Sequence, residues 1–455
     1  MKTPQRRTVI IRGRGQTELD NLLPIFCSIV EKSTPQPYSL FESEIIRELT
    51  AIIPGQTAKT IRNYYTEILG QLFSTYYVEK GQAEISPLAL KLNSDGDQPF
   101  FFKVLASRIQ FPNPSSKKHK YEEEVNDGLG VRPLVLVLQV MREVEKTKTR
   151  TTFIEIAYHI LNSLDAQRGT LSPKQICDRI LRARTTKFIY PSFEGSFARQ
   201  HIKESLNLLY LANLIRHDST EYWLNPFENQ AIDSICSLSA SSALFRAKSS
   251  LESHQEFQNS WKKHLTRISD LEIQDLQTNV ASLGSARPMR LVSGKPRRRA
   301  TDIGRDGELL VIDIENHSLD KAFPGSSFEA IDLAHVRGIG YDIESLFHEG
   351  GAKHGQTHFI EVKSTLRVTK PELSKLSVKD NFTLTRSEKL AADIYKEQFS
   401  VFRVYIYTDG YSILKFNNLP NLANTSLLVL APENWNVEYD PSKVVKHVPL
   451  MEGDL

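Results

Sequence analysis

Four residues in the last third of this chain have the types and spacing for phosphodiester chemistry. Glu361 and Lys363 stand two apart in HFIEVKS, Asp342 ends the apolar stretch GIGYD nineteen positions before Glu361, and Glu308 lies upstream in GRDGELLVIDIE. Successive side chains of a strand point to opposite faces. In HFIEVKS, Ile360 and Val362 therefore point one way and Phe359, Glu361 and Lys363 the other. The acid and the lysine share a face while the aliphatic pair anchors the strand in a core. GIGYDI is short, apolar and strand-like, and the glycine-rich turn after it folds the chain back so that Asp342 comes beside Glu361. Two carboxylates that close repel each other unless something positive sits between them. A hard divalent cation such as Mg2+ takes such oxygen ligands and keeps several waters. Lys363, next to that cation, can orient or help deprotonate a bound water, which is the equipment for attack on a phosphodiester.

The elements around these residues must hold them together. Gly304–Glu308 opens a segment read as helical, although Leu310, Ile312 and Ile314 also alternate; from a helix, Glu308 reaches the same centre. Downstream, FTLTRSEKLAADIYKEQF carries a T-x-x-E capping box in Thr385 and Glu388, so a helix starts there, and VFRVYIYT is a following strand. Helix, strands with the acidic centre, helix, strand makes a small α/β core.

This core occupies only part of a chain of 455 residues, and a prior of roughly 150 residues per domain allows two to four domains. With 40% hydrophobic and 24% charged residues, the composition is that of a globular protein with material for several cores. No apolar run approaches the roughly 20 residues of a membrane helix. The first residues, MKTPQRRTVIIRGRGQTELDN, are basic but lack the apolar core and cleavage site of a secretory signal. Three widely spaced cysteines without a C-x-x-C pair argue against a zinc site and against a disulfide framework, and point to a reducing cytoplasm. Net charge is only +3, yet Arg6, Arg7, Arg12 and Arg14 crowd the N-terminus, and Arg287, Arg290, Lys295 and Arg297 to Arg299 crowd a second stretch. Such clusters mark contact with a polyanion or, more simply, solvated flexible segments. The second cluster lies in 281–302, a Ser-, Gly-, Pro- and Arg-rich stretch without periodicity, read as a linker.

The N-terminal part is mostly helical by pattern. A helix of about 12 residues runs up to Pro54-Gly55, and a second begins near Thr57 with Ile61, Tyr64, Tyr65, Ile68 and Leu72 on one face. A β-favouring stretch from Phe73 to Val78 and a turn at Lys80-Gly81 follow. Helix, turn, helix, small hairpin is a winged-helix outline, with Lys59, Arg62 and Asn63 on the outward face of the second helix. The outline recurs in SPKQICDRILRAR and FARQHIKESLNLLYLANLIRHDSTEYWLN, where Arg199, Gln200 and Lys203 lie near a helix start and two short strands flank His217-Asp218-Ser219. Such helix starts enter the DNA major groove, where Arg, Lys, Asn and Gln can bond base edges. Winged helices also dock proteins, and charge on an exposed helix face is ordinary.

The acidic set resembles the PD-(D/E)XK nuclease superfamily on its Holliday-junction-resolvase-like branch, with Tyr341 where that family often has proline. In addition, VIIRGRGQTELDNLLP, QPFFFKVLASRIQFPNP and IKESLNLLYLANLIR are similar to the recognition domain of the BpuJI family of restriction endonucleases, and the linker and nuclease pattern follow in the same order. The resemblance implies a multidomain protein: an N-terminal arm and first winged-helix subdomain (1–110), a second winged-helix subdomain (111–280), the basic linker (281–302) and an α/β nuclease domain around a mixed sheet (303–455). It implies a type II enzyme that binds a short asymmetric duplex site as a monomer and cuts outside it, the nuclease domains pairing to cut both strands. It implies Glu308, Asp342, Glu361 and Lys363 as catalytic residues, with Asp342, Glu361 and the backbone of Val362 holding Mg2+, for which Mn2+ substitutes. Arg12 and Arg14 fit the DNA-reading arm. A cognate DNA methyltransferase in a prokaryotic cytoplasm is the expected partner. Two other readings stay open: a winged-helix regulator with an inert nuclease-like domain, and a junction resolvase, against which the large N-terminal part argues.

Overall fold

Helix starts along the chain are set by side-chain caps. Thr57 Oγ1 accepts the Thr60 amide at 3.2 Å, and Ser172–Gln175, Ser253–Glu256, Ser269–Glu272 and Thr385–Glu388 each form a reciprocal capping box. The structure is a computed structural model and describes residues 4–6, 9–10, 15–53, 55–191, 196–241, 244–246, 253–279, 301–336, 338–349, 351–371, 380–408, 410–431, 435–439 and 446–448. The chain forms two compact units, one of Met1–Leu49, Gln56–Asn93 and Gln98–Ser282, the other of Thr50–Gly55, Ser94–Asp97 and Leu283–Leu455. Residues 280–300, nearly all of the stretch read as a linker, lie outside the described residues. Among the described residues no helix is long and apolar enough to cross a membrane.

The first unit is mainly helical. The helix Tyr38–Ile52 is longer than the sequence pattern indicates and stops at Ile52. The next runs from Ala58 to Asn63 and continues as a π-helix through Leu72. Ile61, Tyr64, Tyr65, Ile68 and Leu72 are all buried, the face expected from their spacing. The following strand begins at Tyr76 rather than Phe73, because Ser74 takes a left-handed backbone (φ 48°) that breaks extension. Tyr76–Glu79 and Gln82–Ile85 form a hairpin, turned by Lys80 and Gly81 at positive φ, and Gln36–Pro37 adds a short third strand beside Gln82–Ile85. The same plan recurs with the helices Pro173–Thr185 and Ser196–Leu211, the hairpin Ile215–His217 and Glu221–Leu224, and a short third strand Thr151–Thr152 beside Glu221–Leu224.

In the second unit, helix α1 (Thr301–Ala322) includes Leu310, Ile312 and Ile314, so the helical reading of that ambiguous stretch holds. The main sheet has six strands: β1 (Ile331–Asp332), β2 (Ile343–Leu346), β3 (Thr357–Leu366), β5 (Phe399–Tyr407), β6 (Gly410–Asn417) and β9 (Lys446–Val448). Their order across the sheet is β9-β6-β5-β3-β2-β1. The sheet is mixed, since β3 and β5 run parallel and the other pairs antiparallel. Parallel neighbours need a crossover. Here it holds β4 (Asp380–Leu384) and helix α2 (Arg386–Tyr395). β4 joins β7 (Leu428–Ala431) and β8 (Trp435–Tyr439) in a second, antiparallel sheet. All nine residues of β5 are buried, which explains its nearly unbroken apolar sequence. α2 buries Ala391 and Ala392 in a core with Phe382, Phe399, Val401 and Leu414.

Candidate active site

β3 carries Glu361 and Lys363 on one face, as alternation requires. β2 pairs antiparallel with β3, Ile343 opposite Ile360, so the residue before β2 lands beside Glu361. That residue is Asp342. Its amide donates to the Ile360 carbonyl at 2.9 Å, and its Oδ2 accepts the Val362 amide at 2.8 Å. One element departs from the sequence reading: GIGY is not strand, and β2 begins only at Ile343. Gly338 and Gly340 turn the chain at φ 83° and 85°, in the left-handed region open to glycine.

Gly340 also fixes a contact. A Cβ there would lie 2.3 Å from the Ser387 carbonyl oxygen, so the turn before Asp342 is pressed onto the start of α2. Gly340→Ala therefore meets a forbidden backbone region and a clash that no side-chain rotation relieves. The expected cost is about 3 kcal/mol of unfolding free energy, read by denaturant titration. Gly307 plays a matching part on α1, where a Cβ would fall 1.7 Å from Ser364 Oγ of β3. That close approach brings Glu308 within electrostatic reach of Asp342. Tyr341 packs its ring 4.7 Å from Phe359, which in turn lies 4.1 Å from Tyr395 of α2.

The charges are tightly coupled. Burial pushes the Glu361 carboxyl well above the usual carboxylate range; Lys363 opposes this, and Glu388 and Asp342 add to it. Asp342 is also raised, chiefly by burial; the Val362 amide and Lys363 oppose this, and Glu388 adds to it. Lys363 Nζ lies 2.7 Å from Glu361 Oε1 and 2.8 Å from Glu388 Oε2. Burial by itself would lower the Lys363 ammonium, but the two carboxylates outweigh it and hold it above the ordinary lysine range. Glu308 is raised by burial and by Asp342, and Arg305 restrains the shift from 3.0 Å. Arg305 is in turn held by both oxygens of Asp332, one of them at 2.8 Å.

The structure thus brings Asp342, Glu361 and Lys363 into one cluster, with Glu308 at its edge. Sequence reasoning missed Glu388, Arg305 and Asp332 as members. Glu388 was visible in TRSE, but as a helix cap. Arg305 sits three residues before Glu308, an ordinary helical ion-pair spacing, and nothing in the sequence around Asp332 marks its role.

In the first unit, Lys59 and Arg62 are exposed and Asn63 is half-buried on Ala58–Asn63, while Arg199, Gln200 and Lys203 are exposed on Ser196–Leu211. The Arg199 guanidinium lies over the Phe153 ring at 5.5 Å, and Gln200 Nε2 donates to Glu204 at 2.9 Å. Arg12 and Arg14 lie outside the described residues.

Residues 4–267 match the family described as "Restriction endonuclease BpuJI - N terminal". The chain belongs to that family. Among solved structures it is similar to the BpuJ1 endonuclease binding domain in complex with pyrene- and phenanthrene-modified DNA. The identity is 32% and the TM-score 0.54, over 58% of this chain and 98% of that one. Residues 307–416, which contain Glu308, Asp332, Asp342, Glu361, Lys363 and Glu388, match the family described as "Protein NO VEIN, C-terminal". No curated protein matches the chain.

Proposed function

We propose that this protein is a Mg2+-dependent, type II site-specific endonuclease. Its first unit reads a short asymmetric duplex site through two winged-helix subdomains and an N-terminal arm, and its second, of the PD-(D/E)XK fold, hydrolyses phosphodiester bonds outside that site. The observation that carries the reading is the meeting of two carboxyls with a lysine: Asp342 is fixed beside Glu361 by its bonds to Ile360 and Val362, and Lys363 Nζ lies 2.7 Å from Glu361.

The donor set fits a hard cation. Among the described residues no group of three or more His, Cys, Asp or Glu side chains could hold a metal. Mg2+ does not need one, since it is commonly bound by one or two carboxylates and keeps several waters. Asp342, Glu361 and the Val362 carbonyl would hold it. The chemistry Mg2+ supplies when bound is a more acidic water and neutralised phosphate charge. Lys363 presents its ammonium at the same point, as a hydrogen-bond donor to water or phosphate. Glu308, held by Arg305, adds a carboxylate at the rim.

Plasmid incubated with the protein and Mg2+ should give discrete fragments, and sequencing their ends yields the site and the cut. An uncut plasmid bound site-specifically would instead mark a winged-helix regulator with an inert nuclease-like domain. Binding should weaken steeply with salt, because Lys and Arg contacts to phosphates release counterions. Each phosphate contact removed should flatten the log–log salt slope by about one unit, as expected for Arg12→Ala and Arg14→Ala. Among substitutions at Lys59, Arg62, Asn63, Arg199, Gln200 and Lys203, some should relax sequence preference and leave the slope unchanged, since base contacts carry the sequence information. Competition binding against single-base variants of the site separates the two outcomes.

A further inference from the structure

We propose that Glu388 is a positioning residue for Lys363, the fixed partner that holds the lysine at the acidic pair. The inference rests on the catalytic reading of Lys363 and extends it to a residue on a different element. Lys363 Nζ is gripped from two sides, by Glu361 Oε1 at 2.7 Å and Glu388 Oε2 at 2.8 Å. The two grips differ in kind. Glu361 is a candidate cation ligand, so its oxygens are shared with whatever sits between it and Asp342. Glu388 has no such second duty, and its hold does not depend on a bound cation.

Glu388 is itself anchored. The same Oε2 accepts the Thr385 amide at 2.9 Å, and the Glu388 amide donates to Thr385 Oγ1 at 3.3 Å, closing the capping box. The first turn of α2 is also seated on Gly340, two residues before Asp342, through the Ser387 carbonyl. One turn of helix therefore sets the place of the lysine and of the aspartate together. A lysine has a flexible four-carbon stem and three donors. Two donors are taken by the acids, and the side chain is 20% exposed, so the third is left for water or phosphate.

Glu388→Gln is the discriminating variant, because glutamine also completes a capping box but carries no charge to hold an ammonium. In the full-length protein, with cleavage followed in single turnovers, the expected result is a rate lower by about 10- to 100-fold, the scale of a misplaced catalytic group. DNA affinity and the thermal midpoint should stay at wild-type values. In a Lys363→Ala background with enzyme in excess, Glu388→Gln should change the residual rate by less than about 2-fold, because the partner it acts through is gone. Thr385→Ala weakens the same cap without touching the ion pair and is the control if the midpoint falls. It should slow cleavage less than about 3-fold, a cap loss being a stability effect. The proposal is overturned if Glu388→Gln cuts at the wild-type rate while Lys363→Ala is inactive, if the two losses multiply, or if Thr385→Ala is as slow as Glu388→Gln. Wild-type cutting by Lys363→Ala itself would instead remove the catalytic reading beneath it.

Discussion

Asp342→Ala and Glu361→Ala should each abolish plasmid cleavage, with a loss on the order of 10²- to 10³-fold or more, the scale of removing a preorganised charged group from a reaction centre. Each substitution takes away one of two carboxyls that a cation would bridge, and neither acid has a neighbour able to replace it. Glu308 is tied to Arg305 at 3.0 Å, and Glu388 to Lys363 at 2.8 Å. Site-specific binding should survive, because the surface proposed to read DNA belongs to the first unit. Lys363→Ala should be nearly as severe. Glu308→Ala should be milder, since this carboxylate stands at the edge of the cluster. Gel-shift and cleavage measurements on the same preparations separate the two activities, and a variant at Asp342 or Glu361 that cuts at a near wild-type rate removes that residue from the mechanism.

Excess EDTA should abolish cutting, and Mg2+ or Mn2+ should restore it. Ca2+ should occupy the oxygen ligands without supporting efficient cleavage, because its flexible coordination, with six to eight ligands, places an attacking water less well than the near-octahedral Mg2+ shell. An inert Ca2+ form should therefore compete with Mg2+, and cleavage at fixed Mg2+ should fall as Ca2+ is added. Full activity in excess EDTA is the result that would refute the metal scheme. It would leave the paired acids of Asp342 and Glu361 without a chemical purpose.

The parts of this site that could be read from sequence are those set by local geometry. Strand alternation places Glu361 and Lys363 on one face, and the T-x-x-E pattern fixes where α2 begins. The parts that could not be read depend on long-range packing. GIGYDI looks like a strand because isoleucine and tyrosine favour one, yet Gly340 at positive φ against Ser387 ends extension two residues before Asp342. Glu388 has a sufficient local reason for being where it is, the cap, and that reason hides its second contact twenty-five residues back along the chain. The π-helical turns at Tyr64–Leu72 and Ile156–Leu161 leave no mark in the hydrophobic spacing, which suits an α-helix nearly as well.

The burial of β5 has a consequence for how the second unit opens. An amide in a central strand, bonded on both sides and covered above and below, exchanges with solvent hydrogen only when the whole unit unfolds; amides at edges exchange through small local openings. Phe399–Tyr407 is covered throughout, and its residues Phe399 to Ile406 pair one by one with β3, Val401 with Glu361 and Arg403 with Lys363. The two-residue β1 lies at the sheet edge. In a deuterium-labelling time course, the amides of Phe399–Tyr407 should therefore be the last to exchange, and those of Ile331–Asp332 among the first. Glu361 and Lys363 ride on the slowest-opening part of the unit. A partial opening that frees α1 would carry Glu308 away while the strand holding the acid and the lysine stays in register.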